Sequence, residues 1–200
     1  MKRARWVHLG LVLLALVPAA GLALGAWRDS LGANPIETIT HTTGDWTLRL
    51  LLVTLTVTPL RRLFGWGAVA PYRRTTGLLT FSYACLHFGT YLVDQFFDWE
   101  FIVEDVIERP YITVGFTGFL CLLPLAITST RGWIRRLRRR WGQLHRLVYV
   151  AAIAGVIHFL WLVKADTREP LIYGAILAML LGVRLWYAWP LFRGVRRPAP

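Results

Sequence analysis

Three histidines, His87, His145 and His158, are the residues of this chain best placed to do chemistry. Each falls in a segment that reads as buried in a lipid bilayer, where a polar ring is costly and ordinarily has a function or a partner. A neutral imidazole offers one N–H and one lone pair, so it ligates a metal through one nitrogen while the other orients the ring. Histidines facing each other across a helical bundle hold heme iron from both sides. The bland alternative is a histidine that only hydrogen-bonds a neighbouring helix.

The elements that must position these residues are apolar spans. Of the 200 residues, 56% are hydrophobic, and the mean hydropathy is +0.47. Six spans are expected, at roughly Trp6–Trp27, Trp46–Phe64, Thr75–Phe96, Tyr111–Thr128, Leu144–Val163 and Leu171–Phe192. Each is near the ~20 residues that cross a bilayer, and runs this long exclude barrel strands. The expected fold is an all-α membrane protein, a six-transmembrane-helix bundle forming a single domain over residues 1–200. The first span has a rival reading as a secretory signal peptide, given its basic start and the small residues of 21–26; its apolar run is longer than a signal core, and it is read as retained. No internal repeat or low-complexity segment stands out.

The net charge of +12 invites a nucleic-acid partner, but its distribution argues for membrane topology instead. Of the 23 basic residues, 17 lie at positions 2–5, 61–62, 73–74, 131–146 and 193–197, all at one set of span ends. All 11 acids lie at the other set, at 29, 37, 45, 94–108 and 166–169. The basic excess marks the cytoplasmic face, so both termini are expected to be cytoplasmic. Cys85 and Cys121 fall within spans and read as small buried hydrophobes. There is no glycine-rich nucleotide fingerprint, phosphate loop or paired-cysteine motif.

This topology sets the depth of each histidine. His87 lies about 12 residues, roughly 18 Å, into the third span, and His158 about 14 residues into the fifth. They are therefore at matched depth in the outer half, and are the expected axial pair of a b-type heme. His145 sits at the cytoplasmic entrance, as a third candidate ligand. It shares a predicted helix with His158, about 20 Å away along the axis, and about 140° around it, so a bulge or kink is needed for a common face. His8 reads as interfacial and His41 as solvated; Trp141 and Trp161 read as interface or packing residues. Arg73, Arg74, Arg146 and Arg184 are candidates for binding a heme propionate or flavin phosphate, because guanidinium suits planar anions. Their alternatives are positive-inside topology and, for Arg184, snorkelling. No catalytic residue is expected.

The stretch Arg73-Arg74-Thr75-Thr76-Gly77-Leu78, with Phe81, Tyr83, His87 and Tyr91, resembles the third helix of the ferric-reductase-like transmembrane family. Leu125-Ala126-Ile127-Thr128-Ser129, Trp141-Gly142-Gln143-Leu144-His145-Arg146-Leu147 and His158 continue that pattern. The family usually holds two stacked hemes on two histidines from each of two helices; here Arg73 and Arg74 stand where the third helix would carry its second histidine. The resemblance implies heme b and FMN as cofactors. It also implies a bacterial inner-membrane location, electrons from membrane quinone, and a periplasmic molybdopterin-containing methionine sulfoxide reductase catalytic subunit as partner. The cytoplasmic-side position is left open to a differently ligated second heme, a flavin or a quinone. Two other function classes remain: a stand-alone transmembrane reductase of ferric ions or oxygen, and a non-redox scaffold whose histidines only pack.

Overall fold

The computed structural model describes residues 2–192, with side chains described for 5–188. Among these, the regular elements are nine α-helices and one 3₁₀ turn. Their α-helices are α1 (Lys2–Trp27), α2 (Pro35–Phe64), α3 (Arg73–Asp94), α4 (Trp99–Glu108), α5 (Pro110–Ile127), α6 (Arg131–Leu137), α7 (Arg139–Leu144), α8 (Leu147–Leu162) and α9 (Arg168–Phe192). Long helices therefore occupy all six expected spans. Four stretches are long and apolar enough to cross a membrane: Arg5–Trp27, Pro110–Ile127, Arg139–Leu162 and Arg168–Ala188. α2 and α3 are less apolar because they carry threonines, arginines and histidines. The basic residues at 193–197 and the side chains of Lys2 and Arg3 lie outside the described residues.

Local chemistry sets the helix ends. Asn34 caps α2, its side chain accepting from the Glu37 N–H at 3.2 Å, and Pro35 occupies the first turn. Gly65 stops α2 with φ 69°, a left-handed conformation that glycine adopts without a Cβ penalty. Asp98 caps α4 in the same way, accepting from Phe101 N–H at 3.2 Å.

The helices run up and down the bundle. His8 of α1 bonds Thr75 at the start of α3 (2.7 Å), and the Tyr187 hydroxyl of α9 donates to the Arg62 carbonyl near the end of α2 (3.3 Å). Both contacts are at the arginine-rich end. At the opposite end, Arg49 of α2 donates to the Tyr173 hydroxyl of α9 at 2.8 Å. The core joins Leu51, Leu52 and Leu55 of α2 to Leu122 and Leu125 of α5, Ala151 and Ala152 of α8, and Leu177 and Leu180 of α9. Buried threonines bind α2 to α3 without orphaned hydroxyls: Thr54 and Thr76 bond each other at 2.9 Å, and Thr80 donates to the Thr76 carbonyl.

Two expectations change. The helix expected to carry both His145 and His158 is interrupted at His145–Arg146, where the chain tightens so that Arg146 N–H reaches Gln143 O and Tyr149 N–H reaches Arg146 O. Cys85 is exposed rather than buried, because neighbouring Tyr83 and Ala84 take the inward face of α3; Cys121 is half-buried.

Leu55 is 0% exposed at the centre of this core. Leu55→Ala is expected to remove about 2–5 kcal/mol of stability, read by denaturant unfolding of the purified protein in detergent.

Candidate functional site

His87 and His158 meet inside the bundle. Their ring centroids are 6.1 Å apart and their planes are inclined at 76°. The two side chains come from α3 and α8, and each is held by a different neighbouring helix. The His87 Nδ1–H donates to the Thr40 carbonyl of α2 at 2.8 Å, and the His158 Nδ1–H to the Tyr111 carbonyl of α5 at 2.7 Å. A carbonyl only accepts, so Nδ1 carries the proton and Nε2 keeps the lone pair in both neutral rings.

A glycine makes each approach possible. A Cβ at Gly44 would lie 3.0 Å from His87 Cε1, and one at Gly115 would lie 2.7 Å from His158 Nδ1. Each glycine is one helical turn beyond the carbonyl its histidine uses, so the imidazole lies against bare backbone. The same carbonyl–glycine–histidine arrangement occurs in both halves. Thr40, Gly44 and His87 become Tyr111, Gly115 and His158 at a constant offset of 71, and each histidine follows its carbonyl partner by 47 residues. Three positions thus recur at one spacing, although no repeat stands out along the sequence. The signal there is weak but present, in Thr42-Thr43-Gly44 against Thr113-Val114-Gly115 and in Leu86-His87-Phe88 against Ile157-His158-Phe159.

The pair opens into a cavity of about 350 Å³, walled by Phe88, Phe116, Phe119 and Leu48, with polar groups that include His41, Asp45, Asp94 and Asp105. Half the 6.1 Å ring separation is an imidazole ring radius plus a metal–nitrogen bond of about 2 Å. Among the described residues, no group of three or more His, Cys, Asp or Glu converges on a metal position. A bare zinc-like ion ordinarily takes three or four protein ligands, whereas two histidines suffice where a macrocycle supplies the rest. The donor set therefore fits heme.

A second cavity of about 230 Å³ lies toward the arginine-rich end, lined among others by Arg73, Arg74, Phe81, Trp141 and His145. Leu51 and Leu122 line both cavities and form the partition; they too are separated by the 71-residue offset. No acid is among the second cavity's lining residues. His145 is set differently from the other two histidines. The Thr128 hydroxyl donates to Pro124 O at 2.6 Å, so its oxygen accepts from His145 Nε2–H at 3.1 Å and the free lone pair is on Nδ1. Trp141 stacks on the His145 ring at 3.9 Å and donates to the Thr128 carbonyl, a positioning role beyond the packing expected of it.

The offset places Arg74 where the second half has His145. Arg146 and Arg184 line neither cavity. Arg184 donates instead to the Leu180 and Leu55 carbonyls and covers the Tyr149 ring at 5.5 Å. His8 packs edge-on to Tyr72, His41 is exposed at the mouth of the larger cavity, and Trp161 is exposed.

Comparison with known proteins yields a consistent assignment. The family model for the ferric reductase like transmembrane component matches residues 43–156. The chain is 53% identical to the protein-methionine-sulfoxide reductase heme-binding subunit MsrQ of Herminiimonas arsenicoxydans, over 90% of this chain and 84% of that protein. It is 52% identical to the proteins of the same name from Xanthomonas campestris pv. campestris (strain B100) and Xanthomonas axonopodis pv. citri (strain 306), over 86% of this chain and 82% of each. No solved structure matches. The family match and the four apolar helices make this a multi-pass membrane protein.

Gly115→Ala is expected to push His158 off the Tyr111 carbonyl. A buried N–H left unsatisfied costs about 1–3 kcal/mol, on the order of tenfold in affinity for added hemin. Gly44→Ala, with the looser 3.0 Å approach, is expected to cost less. Hemin titration of the two variants checks the order, and a larger loss in Gly44→Ala contradicts it.

Proposed function

The chain belongs to the ferric-reductase-like transmembrane family, and we propose that it is a heme-containing electron-transfer subunit of the bacterial inner membrane. In this reading it draws electrons from the quinone pool. It passes them to a periplasmic molybdopterin-containing protein-methionine-sulfoxide reductase and does no substrate chemistry itself. The His87–His158 pair carries the proposal: two neutral imidazoles, proton on Nδ1 and lone pair on Nε2, meet in an aromatic-walled cavity. Histidines that merely packed would need neither the shared cavity nor the two glycine clearances.

Heme b, when bound, supplies a one-electron couple. His87 and His158 would hold its iron through Nε2, while the Thr40 and Tyr111 carbonyls fix each ring's tautomer and raise its basicity. Phe88, Phe116 and Phe119 keep water from the site. Arg73 and Arg74 would hold the phosphate of FMN in the second cavity, where His145 offers Nδ1 as an acceptor. A quinone or a differently ligated second heme are the other occupants of that cavity. Arg146 and Arg184, the other two arginines suited to a heme propionate or flavin phosphate, line neither cavity and would contact such a group only by turning toward it.

The choice of partner is supported by the name shared by the similar proteins, which states a heme-binding subunit of protein-methionine-sulfoxide reductase. It is supported too by outer segments that are short, acidic and free of cysteine. Charge separation along the sequence supports six membrane crossings by one heme-binding domain with both termini cytoplasmic.

His87→Ala and His158→Ala are each expected to abolish or grossly alter the reduced heme spectrum, while His145→Ala perturbs only binding in the second cavity. Normal spectra in both folded variants of the pair overturn the assignment. Reconstitution with quinol, the catalytic subunit and oxidised protein substrate is expected to reoxidise the heme; rapid sulfoxide reduction by this chain alone refutes the division of labour.

Topology is checked separately by reporter fusions. A fusion at residue 100 is expected to report outside and one at the C-terminus inside. An outside signal at the C-terminus contradicts the six-crossing arrangement.

A further inference from the structure

Among the described residues, Asp105 of α4 is the one buried charged side chain, 5% exposed. Its carboxylate accepts from Arg109 Nε at 2.7 Å and from the Tyr91 hydroxyl at 2.9 Å. Asp105, Tyr91 and Arg109 all line the cavity that His87 and His158 share. Arg109 also reaches the Tyr111 hydroxyl at 3.5 Å. Tyr111 in turn supplies the carbonyl that holds His158 Nδ1, and its ring stacks on His158 at 6.3 Å. The network thus joins the cap helix α4 to α3 and α5 and ends on a histidine of the pair.

A carboxylate in a low-polarity wall is costly unless paired, and removing one partner leaves the other charge acting alone. Charges on a cavity wall act on its contents far more strongly than charges in water. The remaining acids lining the cavity are less enclosed: Asp45 is half-buried and pairs with Arg49 at 3.4 Å, and Asp94 is exposed. We propose that the Asp105–Arg109 pair sets the reduction potential of the redox group held between His87 and His158. This rests on the heme reading above.

The sign follows from charge. Reduction adds one electron to the group. The Asp105 carboxylate opposes that addition and lowers the potential; the Arg109 guanidinium favours it and raises the potential. The Asp105 side chain is 4% exposed and that of Arg109 52%, so solvent screens the cation more. The net effect of the pair is to lower the potential, and the carboxylate contributes the larger part. Both are positioning residues, acting on the held group through space and through Tyr111.

Spectropotentiometric titration of the purified full-length protein with its heme bound provides the test. D105N is expected to shift the ratio of reduced to oxidised heme at a fixed potential by about tenfold toward reduced, a rise of ~59 mV for one electron. R109Q is expected to shift it the opposite way by a smaller factor. D105E and R109K keep the charges and are expected to stay near wild type. A merely structural role would move D105N and R109Q in the same direction or not at all, and either result overturns the proposal. If D105N fails to retain heme, R109Q and R109K decide: a lower potential in R109Q alone supports the proposal, and equal potentials refute it. A wild-type protein with no reducible heme would instead refute the proposed function, and this inference with it.

Discussion

An imidazole placed among helices in an apolar interior has to satisfy its own N–H, and here both central histidines use a main-chain carbonyl of a neighbouring helix. That one hydrogen bond constrains much else. It demands that the ring lie against the partner helix, which only a glycine one turn further on permits. It fixes the tautomer, and with it the nitrogen that faces the cavity. It also pairs α2 with α3 and α5 with α8, so the bundle's helix contacts and its chemistry share the same geometry.

Because the arrangement occurs twice, with the same spacing, the bundle has two equivalent walls facing each other. Leu51 and Leu122, equivalent positions in the two halves, divide the interior into two chambers. Among the differences between the halves, Arg74 stands at the position corresponding to His145. The larger cavity has two matched nitrogen donors. The second cavity has a single histidine, with its lone pair on Nδ1, beside two guanidinium groups and no carboxylate among its described lining residues. Two similar helix pairs thus enclose two cavities with different donor sets.

The larger cavity is flanked by α4, a helix whose Ile102 and Asp105 are buried while Trp99, Val103 and Ile107 remain exposed. Asp105 is held by α3 through Tyr91 and by Arg109 at the start of α5. α4 is therefore fastened by charge and hydrogen bonding to α3, which carries His87, and to the start of α5, whose Tyr111 carbonyl holds His158.

The sequence by itself determined the helical class, the long helices to within several residues at most ends, and the pairing of His87 with His158, because apolar run length and depth along a span are one-dimensional quantities. Motif residues around His87, His145 and His158 also carried the family. Only the tertiary structure decided which backbone each histidine leans on, since Gly44 and Gly115 look like any helix glycines until a ring is seen 3 Å away. The same holds for the turn at His145–Arg146, the outward face of Cys85 and the departure of Arg184 from both cavities, each set by what the neighbouring helix offers. Asp105 read as one more acid in an outer loop; its burial appears only when α4 folds back over the cavity and Tyr91 and Arg109 converge on its carboxylate. Run length and charge are written along the chain. Contacts between residues 47 positions apart are not, because they depend on how rotated helices meet.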